Sequence, residues 1–231
     1  MGWDSIFKKS GKVFYKPHED MKKIIKLFKK EGVNKVLDVG CGSGRHVVLL
    51  AKEGFDVYGM DNAEYGLKHT RKWLKEMGIK AKLKNASCYK TFPYKNNTFD
   101  AIVSTQVIHH AKLNEINFCI SEIERVLKPK GLVFITVTKN KMKGRASKVK
   151  IIEPRTYIML DGFEKGVPHY IYTKALLKKY FKNFKIFEIY TDKYDHYCLI
   201  GRLKSEKFAE SVQLRPKGRS MTEHFHLKAN F

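Results

Sequence analysis

Apolar positions along the first 138 residues alternate between two rhythms. Residues 18–31 (HEDMKKIIKLFKKE) place Met21, Ile24, Ile25 and Phe28 at helical spacing, with lysines between them. KVLDVG follows as a short apolar run closed by glycine, which reads as a buried strand. Residues 46–52 (HVVLLAK) return to the helical rhythm, and FDVYGMD is a second strand. Residues 63–77 predict a helix with Leu67, Trp73, Leu74 and Met77 on its apolar face. AKLKNA reads as a third strand, FDAIVSTQVI as a fourth, and residues 113–127 as the next helix. LKPKG is a turn, and LVFITVT a fifth strand. Strands separated by helices in this way predict a parallel sheet with helices on both faces.

After Thr138 the rhythm is lost. Residues 139–150 (KNKMKGRASKVK) are basic and read as a mobile loop, and IIEPRTYIMLDGFEKGVPHYIY follows without clear periodicity. TKALLKKYF then predicts a helix, and FKIFEIYT and HYCLIGRL lie close enough for a hairpin that adds an antiparallel edge. One domain over 1–203 is expected, with 139–170 as a lid or substrate insertion and 204–231 as a flexible tail whose last residues need not be native.

Composition changes this picture in one respect. The 231 residues include 46 Lys and Arg against 23 Asp and Glu, a formal net charge of +23. That excess suits an anionic partner, RNA included, and equally suits lysine-rich solvated helix faces such as KKIIKLFKK. The four cysteines Cys41, Cys88, Cys119 and Cys198 form no CxxC pair, and no His/Cys/Asp cluster is visible, so no metal is expected. A reduced cytoplasmic setting is expected, with no signal peptide and no membrane span.

The glycines carry the chemistry. KVLDVGCGSGRH ends a strand with Gly40, Gly42 and Gly44 and then opens a helix, the geometry of a nucleotide site at the carboxyl edge of a parallel sheet. The spacing GxGxG is neither the dinucleotide GxGxxG nor a phosphate loop, which argues against a nicotinamide dehydrogenase. Asp38 at the strand end would repel a pyrophosphate and suits a cationic amino group. Asp61, at the tip of the next strand, stands where a carboxylate accepts from ribose hydroxyls. A ribose and a cationic amino-acid portion without phosphates describe S-adenosylmethionine.

VLDVGCGSGRH, the acid of VYGMD, FDAIVSTQVIHH and EIERVLKPKGLVFIT together resemble the successive motifs of class I S-adenosylmethionine-dependent methyltransferases of the methyltransferase-domain-11 type, over about residues 35–138. The resemblance implies an α/β, Rossmann-like, seven-stranded and mostly parallel sheet with helices on both faces and an antiparallel C-terminal hairpin. It implies S-adenosylmethionine held by Asp38, Gly40, Cys41, Gly42, Gly44, Asp61, Asn62, Ser87, Cys88 and Gln106. In such enzymes an acid near the position of Cys88 often bonds the adenine amino group; here there is none, leaving backbone groups of Ser87 and Cys88 for that task.

His109 and His110 follow the fourth strand, beside the expected methyl group, as catalysts or substrate contacts, or else packed beneath the cofactor and capping the next helix. His169 is expected in the lid, within reach of the acceptor pocket and towards His110, as a further catalytic candidate or else a lid-packing residue. Arg45 either reaches the methionine carboxylate or faces solvent. Trp3, Phe7 and Tyr15 either form a flap over the cofactor or pack the first helix. The expected activity is methyl transfer to a small molecule or nucleoside. An RNA (tRNA) methyltransferase and a non-catalytic cofactor-binding subunit stand as alternatives, and the acceptor and oligomeric state stay open.

Overall fold

The computed structural model describes residues 2–11, 13–139 and 148–205. Most of the basic loop (140–147) and almost all of the expected tail (206–231) lie outside the described residues. In chain order the elements are α1 (Trp3–Ser10), α2 (Met21–Lys30), β1 (Lys35–Val39), α3 (Arg45–Lys52), β2 (Asp56–Asp61) and α4 (Glu64–Glu76). Then come β3 (Lys82–Asn85), β4 (Phe99–Thr105), α5 (Leu113–Val126), β5 (Leu127–Thr138), β6 (Val149–Glu153), β7 (Thr156–Met159) and β8 (Pro168–Tyr170). α6 (Lys174–Tyr180), β9 (Phe184–Thr191) and β10 (His196–Leu203) complete the described chain.

Seven strands form one sheet in the order β3-β2-β1-β4-β5-β10-β9. The first five run parallel, and β10 is inserted antiparallel between β5 and β9. Each central strand is buried on both sides, as a parallel sheet between helices requires. Val36, Ala101, Val103, Leu132 and Phe134 belong to one core layer with α2, while Leu37, Val39, Ile102, Val133 and Ile135 belong to the other with α5. On α2 the four apolar residues of the sequence pattern, Met21, Ile24, Ile25 and Phe28, are all buried. β1 pairs with β2 on one side and β4 on the other, so chain order reverses there and a crevice opens beyond their carboxyl ends.

Three expectations are corrected. The segment read as aperiodic, 151–172, forms a three-stranded antiparallel sheet, β6-β7-β8. Its rhythm is hidden because β6 is largely exposed on both faces while β7 is almost wholly buried. The N-terminal aromatics do not merely flank α2: Trp3 and Phe7 sit on a separate helix, α1. The cap of α5 is Lys112, whose amide donates to Glu115 Oε2 at 3.0 Å, and not a histidine.

Candidate functional site

At the reversal point lies a cavity of about 710 Å³. The turn after β1 forms its base. Gly40 adopts φ +74°, and a Cβ there would stand 2.3 Å from Val107 Cγ2, closer than any real contact allows. Only glycine lets the backbone turn under the ligand at this point. Gly40→Ala is therefore expected to lose cofactor binding by more than about tenfold while the protein remains folded; calorimetry showing affinity within twofold of the parent would refute the placement.

Asp61 holds the turn from the neighbouring strand. Its Oδ2 accepts from the Gly42 amide and its Oδ1 from the Ala63 amide, both at 2.8 Å. Burial pushes its carboxyl up, opposed by these amides. Gly40, Cys41, Gly42, Asp61, Asn62, Cys88, Gln106, His109 and His110 all line the cavity, as do Met60 and Ala86. Gln106 holds a left-handed φ of 59° and is clasped to Thr136, its amide and Nε2 both donating to Thr136 Oγ1 at 3.0 Å.

Four candidates stand behind the wall. Gly44, in the left-handed region at φ +86°, packs on Thr70 and serves the turn from outside. The Ser87 hydroxyl accepts from the Tyr89 amide at 3.2 Å and takes no part in the cavity lining. His169 is fully buried beside the histidine end, 4.7 Å from the His110 ring and 5.9 Å from the His109 ring between centroids. Its Nδ1 meets Val167 O at 3.0 Å and its Nε2 meets Glu164 Oε2 at 3.1 Å. The chain just before His169 reaches the cavity instead, through Glu164, Gly166, Val167 and Pro168.

Asp38 is the fourth. It is 1% exposed, and neither side-chain oxygen has a hydrogen-bond partner in the protein. Burial pushes its carboxyl up to about 7; Arg45 works against that, and Asp61 adds to it. An orphaned carboxylate beneath a glycine turn is a receptor for positive charge.

Arg45 does not face solvent. Its Nη2 donates to Thr105 Oγ1 at 3.1 Å and its Nη1 to Lys16 O at 3.3 Å, which turns the guanidinium along the cavity. His46 is buried and held neutral by burial and by Arg45. Its Nε2 accepts from the His18 amide at 3.1 Å, so its proton sits on Nδ1, facing Thr105 Oγ1 at 3.3 Å. Trp3, Phe7, Phe14 and Tyr15 line the near side, with the Trp3 ring 5.0 Å from that of His110 and the Phe14 ring 6.1 Å from that of Phe163.

His18, Asp192 and His196 also line the cavity, and sequence reasoning passed over them. Asp192 and His196 flank the turn of the last hairpin, whereas His18 lies 174 residues before Asp192, so no local pattern connects them.

A parallel sheet with this reversal point, a GxGxG turn, an orphaned acid below it and a second acid on the adjacent strand are similar to the arrangement of class I S-adenosylmethionine-dependent methyltransferases. Residues 37–135 match the methyltransferase domain family. The 24-methylenesterol C-methyltransferase 2 of Arabidopsis thaliana is 32% identical over 154 residues, 62% of this chain and 41% of its own. A ubiquinone biosynthesis O-methyltransferase of Rickettsia canadensis is 30% identical over 108 residues, 47% of this chain and 44% of its own. The chain thus spans less than half the length of these curated relatives. A protein of Pyrococcus horikoshii OT3, 24% identical, shares the fold over 85% of this chain and 98% of its own, with a TM-score of 0.69. No helix among the described residues is long and apolar enough to cross a membrane.

The residues present fit the cofactor. Asp38 and the Gly40–Gly42 turn would receive its cationic amino-acid end, Asp61 and Asn62 its ribose, and Ala86 and Cys88 its base.

Proposed function

We propose that the protein transfers the methyl group of S-adenosylmethionine to a small molecule bearing an oxygen, nitrogen or carbon nucleophile. The observation that carries this reading is one continuous cavity. It runs from the Gly40–Gly42 turn and Asp61 to an end lined by His18, His46, His109 and His110, closed above by Trp3, Phe7 and Phe14. Enclosure by aromatic side chains suits a small acceptor and excludes water from the displacement. The names of the curated relatives, a sterol methyltransferase and a ubiquinone-biosynthesis methyltransferase, support a small-molecule acceptor and lend nothing to the RNA alternative.

In the displacement, the acceptor's lone pair forms a bond to the methyl carbon as the carbon–sulfur bond breaks, leaving a neutral thioether. An acceptor that carries a proton must lose it. We assign that proton to His110, with His109 alongside, and give His169 the role of holding the His110 ring in place from behind.

The test is transfer of labelled methyl from S-adenosylmethionine, by the full chain, into fractionated small-molecule extract and into total RNA. Label is expected in the small-molecule fraction. Label in RNA alone would overturn the acceptor class, and label in neither would favour a non-catalytic subunit. With the acceptor so isolated, His110→Ala is expected to lower turnover about 10²–10⁴-fold with cofactor affinity nearly unchanged. An equal loss of both would make His110 part of the cofactor's packing instead.

A further inference from the structure

Two groups of potential metal ligands converge among the described residues: His109, His110 and His169, and His18, Asp192 and Cys198. In the first, both ring nitrogens of His169 already face oxygens, Val167 O and Glu164 Oε2, so that ring has no lone pair to offer without losing one of them. The second differs. His18 Nε2, Asp192 Oδ2 and Cys198 Sγ all lie within 4.8 Å of one another, with His18 Nε2 3.1 Å from Asp192 Oδ2 and 3.9 Å from Cys198 Sγ. A tetrahedral ion with bonds of about 2.0–2.3 Å separates its ligand atoms by roughly 3.3–3.7 Å. The two observed separations straddle that range.

We propose that His18, Asp192 and Cys198 form a binding site for a divalent cation of the zinc type, with an open coordination position towards the cavity.

The surroundings have the chemistry such a site needs. The chain carries a net charge of +23, yet two carboxylates gather on His18, Asp192 Oδ2 at 3.1 Å from Nε2 and Asp20 Oδ2 at 3.6 Å from Nδ1. A pocket of negative potential inside a basic protein is where a cation gains most. The three ligands are nitrogen, oxygen and sulfur, a set that suits zinc and excludes magnesium or calcium. Their supports are in place as well. Asp192 Oδ1 accepts from the amides of Tyr194 at 2.9 Å and His196 at 2.8 Å, which aims Oδ2 inward. Asp20 Oδ2 lies 3.6 Å from His18 Nδ1 and accepts from Tyr190 OH at 2.8 Å. His196 Nδ1, 3.0 Å from Asp192 Oδ2, adds an outer hydrogen bond on the same carboxylate. His18, Asp192 and His196 line the cavity; Cys198 is fully buried behind them.

The protons balance as follows. Without a cation, His18 carries its proton on Nε2, donated to Asp192, and Nδ1 faces the Asp20 amide at 3.3 Å. On binding, that proton moves to Nδ1, which gives up the Asp20 amide and donates to Asp20 Oδ2 instead, and the Cys198 thiol releases its proton to solvent. One proton leaves per ion, and a thiolate and a carboxylate neutralise the ion's two charges. In the methyl-transfer reading, the open position would take an acceptor's oxygen and lower its pKa. That role rests on the proposed function. The site itself does not, so the test uses metal alone.

The full chain, stripped by chelator dialysis, is titrated with Zn²⁺ by calorimetry in buffers of different ionisation enthalpy, and with Co²⁺ by absorption. The expected result is one ion per chain, one proton released, and thiolate-to-cobalt charge-transfer absorption. Cys198→Ser should remove that absorption. His18→Gln should weaken binding by more than about 100-fold and Asp20→Asn by about 10–100-fold, while His110→Gln leaves it intact. Circular dichroism melts without metal identify any variant that fails to fold, in which case His18→Gln and Asp20→Asn decide. Absence of one-to-one binding, absorption that persists in Cys198→Ser, or loss in His110→Gln alone would each overturn the site and leave His18 and Asp192 as a hydrogen-bonded clasp between the N-terminal segment and the hairpin.

Discussion

Asp61→Ala is expected to weaken S-adenosylmethionine binding by at least about 100-fold, more than the ribose hydrogen bonds alone would explain. The carboxylate does two jobs. Its free lone pairs suit the ribose, and its Oδ2 already accepts from the Gly42 amide, so it also holds the glycine turn in shape. Each hydrogen bond to a charged group contributes about 1.5–3 kcal/mol, and alanine removes the bonds to Gly42 and Ala63 together. Asp61→Asn is expected to recover little, because one of its two side-chain atoms becomes a donor facing an amide donor. Calorimetry on the two variants checks this, and a loss of less than threefold in Asp61→Ala would remove Asp61 from the site.

Asp38→Asn should stabilise the free protein above pH 7 and weaken its hold on the cofactor. The folded carboxyl titrates at about 7 against 3.8 for the free group, mainly through burial. Below about pH 4 it is protonated in both states and costs nothing. Between about 4 and 7 the unfolded chain ionises while the folded one keeps its proton, so this group lowers stability as pH rises, by about 4 kcal/mol once pH exceeds 7. Asparagine removes that slope. Urea unfolding at pH 4.5 and at pH 8 measures it, with the parent losing far more stability relative to the variant at the higher pH. A cation seated on the Gly40–Gly42 turn favours ionised Asp38, so cofactor binding should release a proton and tighten as pH rises from about 5 to 7. The variant should bind more weakly and without that dependence. Equal pH profiles for parent and variant would show that Asp38 does not sense the ligand's charge.

The glycine-turn end was legible in the sequence because its parts are local. Gly40 and Gly42 share one turn, and Asp61 follows on the next strand, which parallel pairing sets beside β1. The Ser87 hydroxyl turns to the Tyr89 amide and Gly44 packs on Thr70, since spacing does not say which way a loop residue turns.

What the sequence determined by itself is the alternation of strand and helix, the parallel order it implies, the final hairpin, and the methyltransferase domain that residues 37–135 match. Each follows from periodicity or from residues within one turn of each other. Tertiary structure alone decided the far end of the cavity. It carried α1 over the glycine turn, folded residues 149–170 into a sheet beside His110, and brought His18 to Asp192 and Cys198. Those meetings join residues up to 180 positions apart. No local pattern encodes them, because their proximity comes from packing the first and last described segments against one sheet.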